Sequence, residues 1–272
     1  MKPKQFDYIR AESLSEVLSA LSEHQGGARI LAGGQSQVAM INFRLIEADV
    51  LIDINRLSDL DYIKVEGSAL EVGASTRQCD LKDWPDLAAT VPLLNEAMPH
   101  VGHFQTRNRG TVCGSIAHSD PSSELPLTLA ALEGEVVLQS TKGKRVIKAA
   151  DFQVGLLTTD KQPDEMVTAV RFPLGVDGCG YAFGEMNRRK GDLAVASFAA
   201  VVSGSSIRLG VGGVADQPTV RDWDGLDDAQ LDDALNEFAW DLEGYDDIHA
   251  TAQYRRELVR RLGKRTIMEA KK

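Results

Sequence analysis

The chain has 272 residues, 43% of them hydrophobic and 26% charged, with a formal net charge of -10 at pH 7. That length suggests about two domains with ample buried core, and the acidic balance argues against a general nucleic-acid binder. No apolar run is long enough to span a bilayer, the N-terminus MKPKQFDYIRAESLSEVL lacks the apolar centre of a signal peptide, and three scattered cysteines (Cys79, Cys113, Cys179) form no CxxC pair, no disulfide framework and no four-thiolate cluster site; a cytoplasmic protein is the simplest reading.

Taken in order, Ser13 to Leu21 reads as a helix capped by Ser13, with Glu16 completing a capping box and Leu14, Val17, Leu18 and Leu21 on one face. ARILA at 28–32 is a short apolar strand that ends in Gly33-Gly34-Gln35-Ser36, and ADVLIDI at 48–54 is another, so the first fifty-odd residues alternate as a small α/β unit. Leu70 to Ala74 reads as a strand, 91–101 as a helix begun near Pro92, and Ser123, Glu124 and Pro126 fall in the first turn of a further helix. Glu135 to Gln139 pairs through a turn at 141–144 with RVIKAADF, and Met166 to Phe172 is a strand closed by Pro173. A boundary is expected at Gly175 to Gly180. Beyond it, Tyr181 to Met186, Ala194 to Val202 and IRLGVGGV read as strands, and 226–242 and 250–270 as helices.

Two glycine segments carry the candidate chemistry. In Ala32-Gly33-Gly34-Gln35-Ser36 the glycines remove bulk and let main-chain N–H groups approach an anion. Thr111-Val112-Cys113-Gly114-Ser115 reads as a second turn of that kind, with hydroxyls from Thr111 and Ser115 and positive potential from Arg107 and Arg109. Surface ion pairs are the alternative for those arginines. Asp120 and Glu124 suit the hydroxyls of a ribose, or equally the capping of the next helix. His100 and His103 form an HxxH pair without a third metal ligand, which favours a structural role, and nothing marks His118 as an acid or base. Gly210 to Ala215 matches GxGxxA on paper, but Asp216 and Pro218 follow where a dinucleotide fingerprint needs a helix, so it reads as strand. An acidic block (Asp222, Asp224, Asp227, Asp228, Asp232, Asp233) and a basic one (Arg255, Arg256, Arg260, Arg261, Lys264, Arg265) read as solvated helix faces or as docking surfaces.

Together, AGGQS at 32–36 and RNRGTVCGSIAHSDPSSELP at 107–126 resemble the FAD-binding medium subunit of the molybdenum hydroxylases, the family of the carbon monoxide dehydrogenase flavoprotein and the xanthine dehydrogenase flavin domain. The resemblance extends through RRKGDLAVA at 188–196, GGVA at 212–215 and the arginine-rich terminal helix. It implies an α+β protein: a two-lobed FAD-binding fold of the vanillyl-alcohol oxidase superfamily type over 1–176 (small α/β lobe to about 57, larger mixed lobe beyond), then a C-terminal α+β domain over 177–272 with a three-stranded antiparallel sheet. By the same resemblance, Ile30, Leu31, Ala32, Gly33, Gly34, Gln35, Ser36 and Gln37 wrap the FAD pyrophosphate with Thr111, Val112, Cys113, Gly114 and Ser115. Asp120 and Glu124 lie near the ribose or pyrophosphate, Val101 near the adenine, and Val167 and Leu193 near the isoalloxazine with Asp192 beside them. No catalytic acid or base and no metal ligand is implied in this chain.

The implied role is electron transfer. A molybdopterin-binding large subunit hydroxylates the substrate, iron–sulfur (2Fe–2S) clusters in a small subunit pass electrons to FAD here, and FAD passes them to an outside acceptor, in a dimer of heterotrimers without nucleic acid or membrane span. A self-contained FAD oxidoreductase and an assembly subunit without redox function are the alternatives. Two departures stand out. Cys113 replaces a common glycine, and would be strained if that position needed positive φ. Gly184 and Glu185 stand where relatives carry a lysine near the flavin.

Overall fold

The computed structural model describes residues 2–272. The first lobe is a three-stranded parallel sheet of β1 (Asp7–Arg10), β2 (Ala28–Leu31) and β3 (Val50–Asp53), with β3 in the middle. Parallel strands need crossovers, supplied by α1 (Leu14–His24) and α2 (Gln37–Asn42). The Glu16 N–H donates to Ser13 Oγ at 3.2 Å, which starts α1 as expected, but the Glu16 carboxylate accepts from the N–H of Glu12 at 2.7 Å, one residue earlier than a capping box requires. Val17, Leu18 and Leu21 of α1 are buried in one core with Val50 and Ile52 of β3.

The second lobe is a five-stranded antiparallel sheet formed by β4 (Ile63–Glu66), β5 (Ala69–Gly73), β6 (Glu135–Ser140), β7 (Gly143–Lys148) and β8 (Met166–Pro173), in the order β4-β5-β8-β6-β7. In its register Arg171 lies opposite both Glu71 and Glu135. Arg171 Nε donates to Glu71 at 2.7 Å, a cross-strand ion pair. Between β5 and β6 the chain forms six helices, three of which shape the site. The first, α3 (Pro92–Ala97), stops short of the expected 101 because Pro99 cannot donate to the helical ladder. The second, α4 (Val112–His118), contains the segment expected to be a turn: Thr111 is its N-cap, its Oγ1 accepting from the Gly114 N–H at 3.1 Å. Cys113 therefore has helical, unstrained backbone, and its thiol reaches the Val72 carbonyl at 3.4 Å inside the core. The third, α5 (Glu124–Ala131), is buried along its whole length, the pattern of a helix covered on all sides.

What covers α5 is the C-terminal part of the chain. Here β9 (Cys179–Met186), β10 (Ala196–Ser203), β11 (Ser206–Gly212) and β12 (Thr219–Asp224) form an antiparallel meander of four strands, where three were expected. The added strand, TVRDWD, lies in the stretch read as acidic surface. Asp222 faces Arg208 across the ladder and accepts from it at 2.6 Å, so the charge that hid the strand protects an edge. One sheet face packs Phe198, Leu209 and Val211 against α6 (Asp228–Asp241), α7 (Ala252–Leu258) and α8 (Lys264–Ala270), the last two joined through a π-helical turn at 259–263. The other face sets Phe183 and Ala199 against Leu93 and Ala97 of α3 and Leu127 and Ala131 of α5. Gly210 and Gly212 on β11 admit α5 closely: a β-carbon at Gly210 would lie 2.9 Å from the Leu127 side chain.

The acidic and basic blocks partly neutralise each other. Lys264 pairs with Asp232 at 2.7 Å, and Arg260 donates to Asn236 at 2.8 Å. Arg255 is not a surface residue at all. It is 1% exposed, and its guanidinium donates to the carbonyls of Val195, Gly213 and Tyr245 and to Asp247. Among the described residues, no helix is long and apolar enough to cross a membrane.

Candidate functional site

The two glycine segments meet. A β-carbon on Gly33 would run into the carbonyl oxygen of Arg109 and the Cα of Gly110, so only glycine lets the loop after β2 touch the approach to α4. Gly34 has φ +70°, a conformation glycine takes freely. Beside this contact lies a cavity of about 400 Å³. Its wall takes Ile30 from β2, residues 32–37 from the glycine loop, Thr111, Cys113, Gly114 and Ser115 from the start of α4, and Glu124 from α5. Val101, Val167 of β8 and Leu193 also line it.

Four expected residues are not brought to that wall. Strand alternation turns Leu31 away from Ile30, into a shallower depression with Asp53, Asn55 and Arg109. Val112 points into the core and is fully buried. Asp120 accepts from the Ser122 N–H at 2.9 Å, which shapes the turn before α5. Asp192 holds its own loop, its N–H donating to the Arg189 carbonyl at 3.0 Å. Of the arginines of the second motif, Arg107 likewise serves the backbone, donating to the carbonyls of Val101 and Gly102, both at 2.8 Å, while Arg109 lines the shallower depression.

Two cations that the motifs did not reveal also line the cavity, Arg29 and Lys161. Burial lowers the Lys161 pKa, and the charge of Arg29 lowers it further, so the two share one region. Arg29 directly precedes Ile30 and is within reach of the strand reading. Lys161 follows Thr158–Thr159, 125 residues from the glycine loop's Ser36 (161 minus 36), and no local pattern announces it. Gln78 also faces the cavity, and its Oε1 is sealed without a hydrogen-bond partner. Main-chain N–H groups at the glycine cradle and the two cations are the donor set a large, anionic cofactor fits.

The carboxyl of Glu124, 4% exposed, is pushed up to about 7 by burial and by the charge of Asp120. Burial lowers the pKa of His118 and raises that of the Cys113 thiol, leaving both neutral near pH 7. His100 and His103 diverge: His100 packs on the Phe183 ring with centroids 5.3 Å apart, whereas His103 lies where a side chain on Gly191 would stand. Among the described residues no group of three His, Cys, Asp or Glu could hold a metal ion. Of Gly210 to Ala215, read as strand, Gly210 to Gly212 is strand and Gly213 to Ala215 is a bend, with no helix opening after it. Gly184 sits against α8, where a β-carbon would meet Thr266 Oγ1 at 2.5 Å.

Comparison with known proteins agrees with this geometry. The family described as "FAD binding domain in molybdopterin dehydrogenase" matches residues 4–175, and "CO dehydrogenase flavoprotein C-terminal domain" matches residues 181–270. The glyceraldehyde dehydrogenase medium chain of Sulfolobus acidocaldarius is 36% identical over 281 residues, covering 99% of each chain. Among solved structures, a carbon monoxide dehydrogenase from Hydrogenophaga pseudoflava superposes with a TM-score of 0.93 at 31% identity, covering 99% of this chain and 98% of the other. Quinoline 2-oxidoreductase from Pseudomonas putida 86 superposes with a TM-score of 0.91 at 32% identity, with the same coverage.

Proposed function

The chain belongs to the FAD-carrying medium subunits of the molybdenum hydroxylases, an oxidoreductase family, and from that premise we propose that it is the electron-transfer subunit of a heteromeric complex. In this reading an iron–sulfur small subunit delivers electrons and a molybdopterin-binding large subunit carries out the substrate hydroxylation. The assembly is a dimer of heterotrimers in the cytoplasm, and this chain divides into an FAD-binding domain over 1–176 and a C-terminal domain over 177–272. The names of the relatives support the medium-subunit role, and they carry different substrates, glyceraldehyde, carbon monoxide and quinoline. Substrate choice is therefore assigned to the large subunit.

The observation that carries the proposal is the closure of both glycine segments on one cavity that also takes Arg29 and Lys161. Bound FAD supplies the redox-active isoalloxazine ring. Gly33, Gly34, Gln35 and Ser36 hold its pyrophosphate from one side and Thr111, Gly114 and Ser115 from the other, with Arg29 and Lys161 adding positive potential. Glu124 accepts from ribose hydroxyls, Val101 packs by the adenine, and Val167 and Leu193 flank the ring. Leu193 is 56% exposed, so the flavin end of the cavity lies near the surface, as exchange with outside partners requires.

The test is native purification with partner chains, followed by the visible spectrum and the molybdenum and iron content. Flavin with both metals and two further chains is the expected result. Flavin without metals or partners would transfer the substrate chemistry to this chain, and no flavin after incubation with FAD would remove the cavity assignment.

A further inference from the structure

The sheet face that meets α3 and α5 is apolar along most of its length and then changes character. Along β9 the residues on this face are Tyr181, Phe183 and Glu185, and along β10 they are Val201, Ala199 and Ser197. Glu185 and Ser197 stand directly opposite each other in the ladder, so their side chains share one face. Both are sealed: the Glu185 side chain and Ser197 are each 0% exposed. Glu185 Oε2 and Ser197 Oγ have no hydrogen-bond partner, although Asn187 donates to the other Glu185 oxygen at 2.6 Å. Two orphaned polar atoms at one spot are costly in a packed seam.

The two ends of this polar patch lead to different places. On the inner side it faces the segment that opens α5: a β-carbon on Gly212 would lie 2.7 Å from Ser197 Oγ and 3.0 Å from the Pro121 carbonyl, and Glu124 comes three residues later. Glu124 lies in the cavity wall, and its charge is felt at Glu185. On the outer side, His100 Nδ1 is 3.7 Å from Glu185 Oε2, and the His100 side chain is 37% exposed.

We propose that His100, Glu185, Ser197 and Glu124 form a proton-exchange path that joins solvent to the FAD cavity through the seam between the two parts of the chain. This rests on the reading that FAD fills that cavity, and on no partner subunit. Full reduction of FAD adds two electrons and takes up as many as two protons, so the cavity needs an exchangeable proton source. The titratable groups in its wall are few. Glu165 is held ionised by Arg145 at 2.6 Å, Arg29 is a guanidinium that does not release its proton, and the Cys113 thiol is buried and inert. That leaves Lys161, His118 and Glu124, and of these Glu124 is the one backed by a second buried acid, Glu185. Burial pushes Glu124 up to about 7, and burial with the charge of Glu124 pushes Glu185 up to about 8, so both carboxyls hold and release protons near neutrality. His100 is itself held low by burial and by Lys190, against Glu96.

The transfer conserves atoms and charge. Glu124 releases its proton into the cavity. Its carboxylate is reprotonated from the Glu185 carboxyl, whose charge-sensing of Glu124 marks the two as neighbours, with the unpaired Ser197 hydroxyl standing on the same sheet face as a polar group free to turn toward either. The Glu185 carboxylate is then reprotonated from the His100 imidazolium, and His100 from water. One proton enters, no covalent bond to carbon changes, and nothing in the path is oxidised or reduced; the electrons come from a one-electron donor outside it.

The experiment uses the full chain loaded with FAD, in wild-type form and as Glu185→Gln and His100→Gln. FAD content is read first by absorbance. The flavin midpoint potential is then titrated between about pH 6 and pH 9 with dithionite as reductant, and infrared difference spectra track protonated carboxyls on reduction. The wild type is expected to show a break in the potential–pH curve, because the ionised pair places negative charge in and behind the wall of the FAD cavity at high pH and disfavours reduction. Glu185→Gln should shrink that break to the part that Glu124 supplies and lose one carboxyl band while keeping FAD. His100→Gln, altered at the surface, should keep the equilibrium curve and slow proton uptake by about tenfold, as monitored with a pH-indicator dye. It also keeps the path testable if Glu185→Gln does not fold. FAD-replete variants with wild-type curves, carboxyl bands and uptake rates would overturn the path. A wild-type chain that takes up no FAD would overturn the cavity assignment together with the path, a failure already visible in the absorbance.

Discussion

The loop after β2 and the start of α4 have similar composition, two small polar segments each built around glycine, yet they do different physical work. The first is an open loop in which Gly33 is needed for contact with the Arg109 carbonyl and Gly34 for its φ of +70°. The second is the first turn of a helix, closed by the Thr111 cap, with Gly114 tight against the Thr111 side chain. The charges divide as well: the first side brings Arg29, and the second leads to the buried carboxyl of Glu124. Glycine content alone therefore does not define a phosphate loop. The residues flanking each glycine decide whether the backbone stays open or winds into a helix.

The strongest test of that contrast is Gly33→Val. Overpacking against the Arg109–Gly110 backbone should separate the two segments, cost about 1–3 kcal/mol of stability in the FAD-free chain, and weaken FAD retention by about tenfold to a hundredfold. A variant that kept its flavin through gel filtration would show that the contact does not shape the site. Removing the cation of the first side, Arg29→Ala, should weaken FAD binding by about threefold to tenfold. The loss should shrink as salt is raised, because Arg29 is exposed; isothermal titration at two ionic strengths checks both points.

On the second side the expected dependence is on pH. The Glu124 carboxyl is raised to about 7, so it is neutral below that pH and negative above it. Ionisation beside an anionic cofactor should lower FAD affinity as pH rises through this range, by about threefold to tenfold, and Glu124→Gln should flatten the profile. A slope that persists in the variant would assign the effect to His118. The smallest effect is expected from Thr111→Ala. Losing the cap should cost about 1 kcal/mol of stability in denaturant titration and lower FAD content only slightly, because Gly114 and Ser115 still line that side of the cavity.

Much of the fold is legible in the sequence because its signals are local. Ser13 before a helical apolar stripe, and the glycine turn between β6 and β7, act within a few residues, and the structure has both where the local pattern predicts them. β12 is obscured because its alternation is carried by aspartates, whose strand role depends on Arg208 across the ladder. Thr111 to Ser115 reads as a turn although the signal for a helix, a threonine cap before an apolar stretch, is present. At the site, period-2 alternation already separates Ile30 from Leu31. Nothing nearby separates Asp120, which closes a turn, from Glu124, which reaches the cavity wall.

By itself the sequence determined where the backbone turns, which helices start and why, and that two glycine segments could approach an anion. Those outcomes depend on φ preferences, caps and periodicities within a few bonds. Only the tertiary structure decided that the segments touch each other, that Lys161 joins them, and that Glu185 is sealed between two parts of the chain beside Ser197, with His100 at the outer edge. The physical reason is desolvation. Whether a carboxyl is an ordinary surface charge or a buried acid that titrates near neutrality depends on what packs over it, and here the covering helices α3 and α5 come from sequence about fifty to ninety residues away.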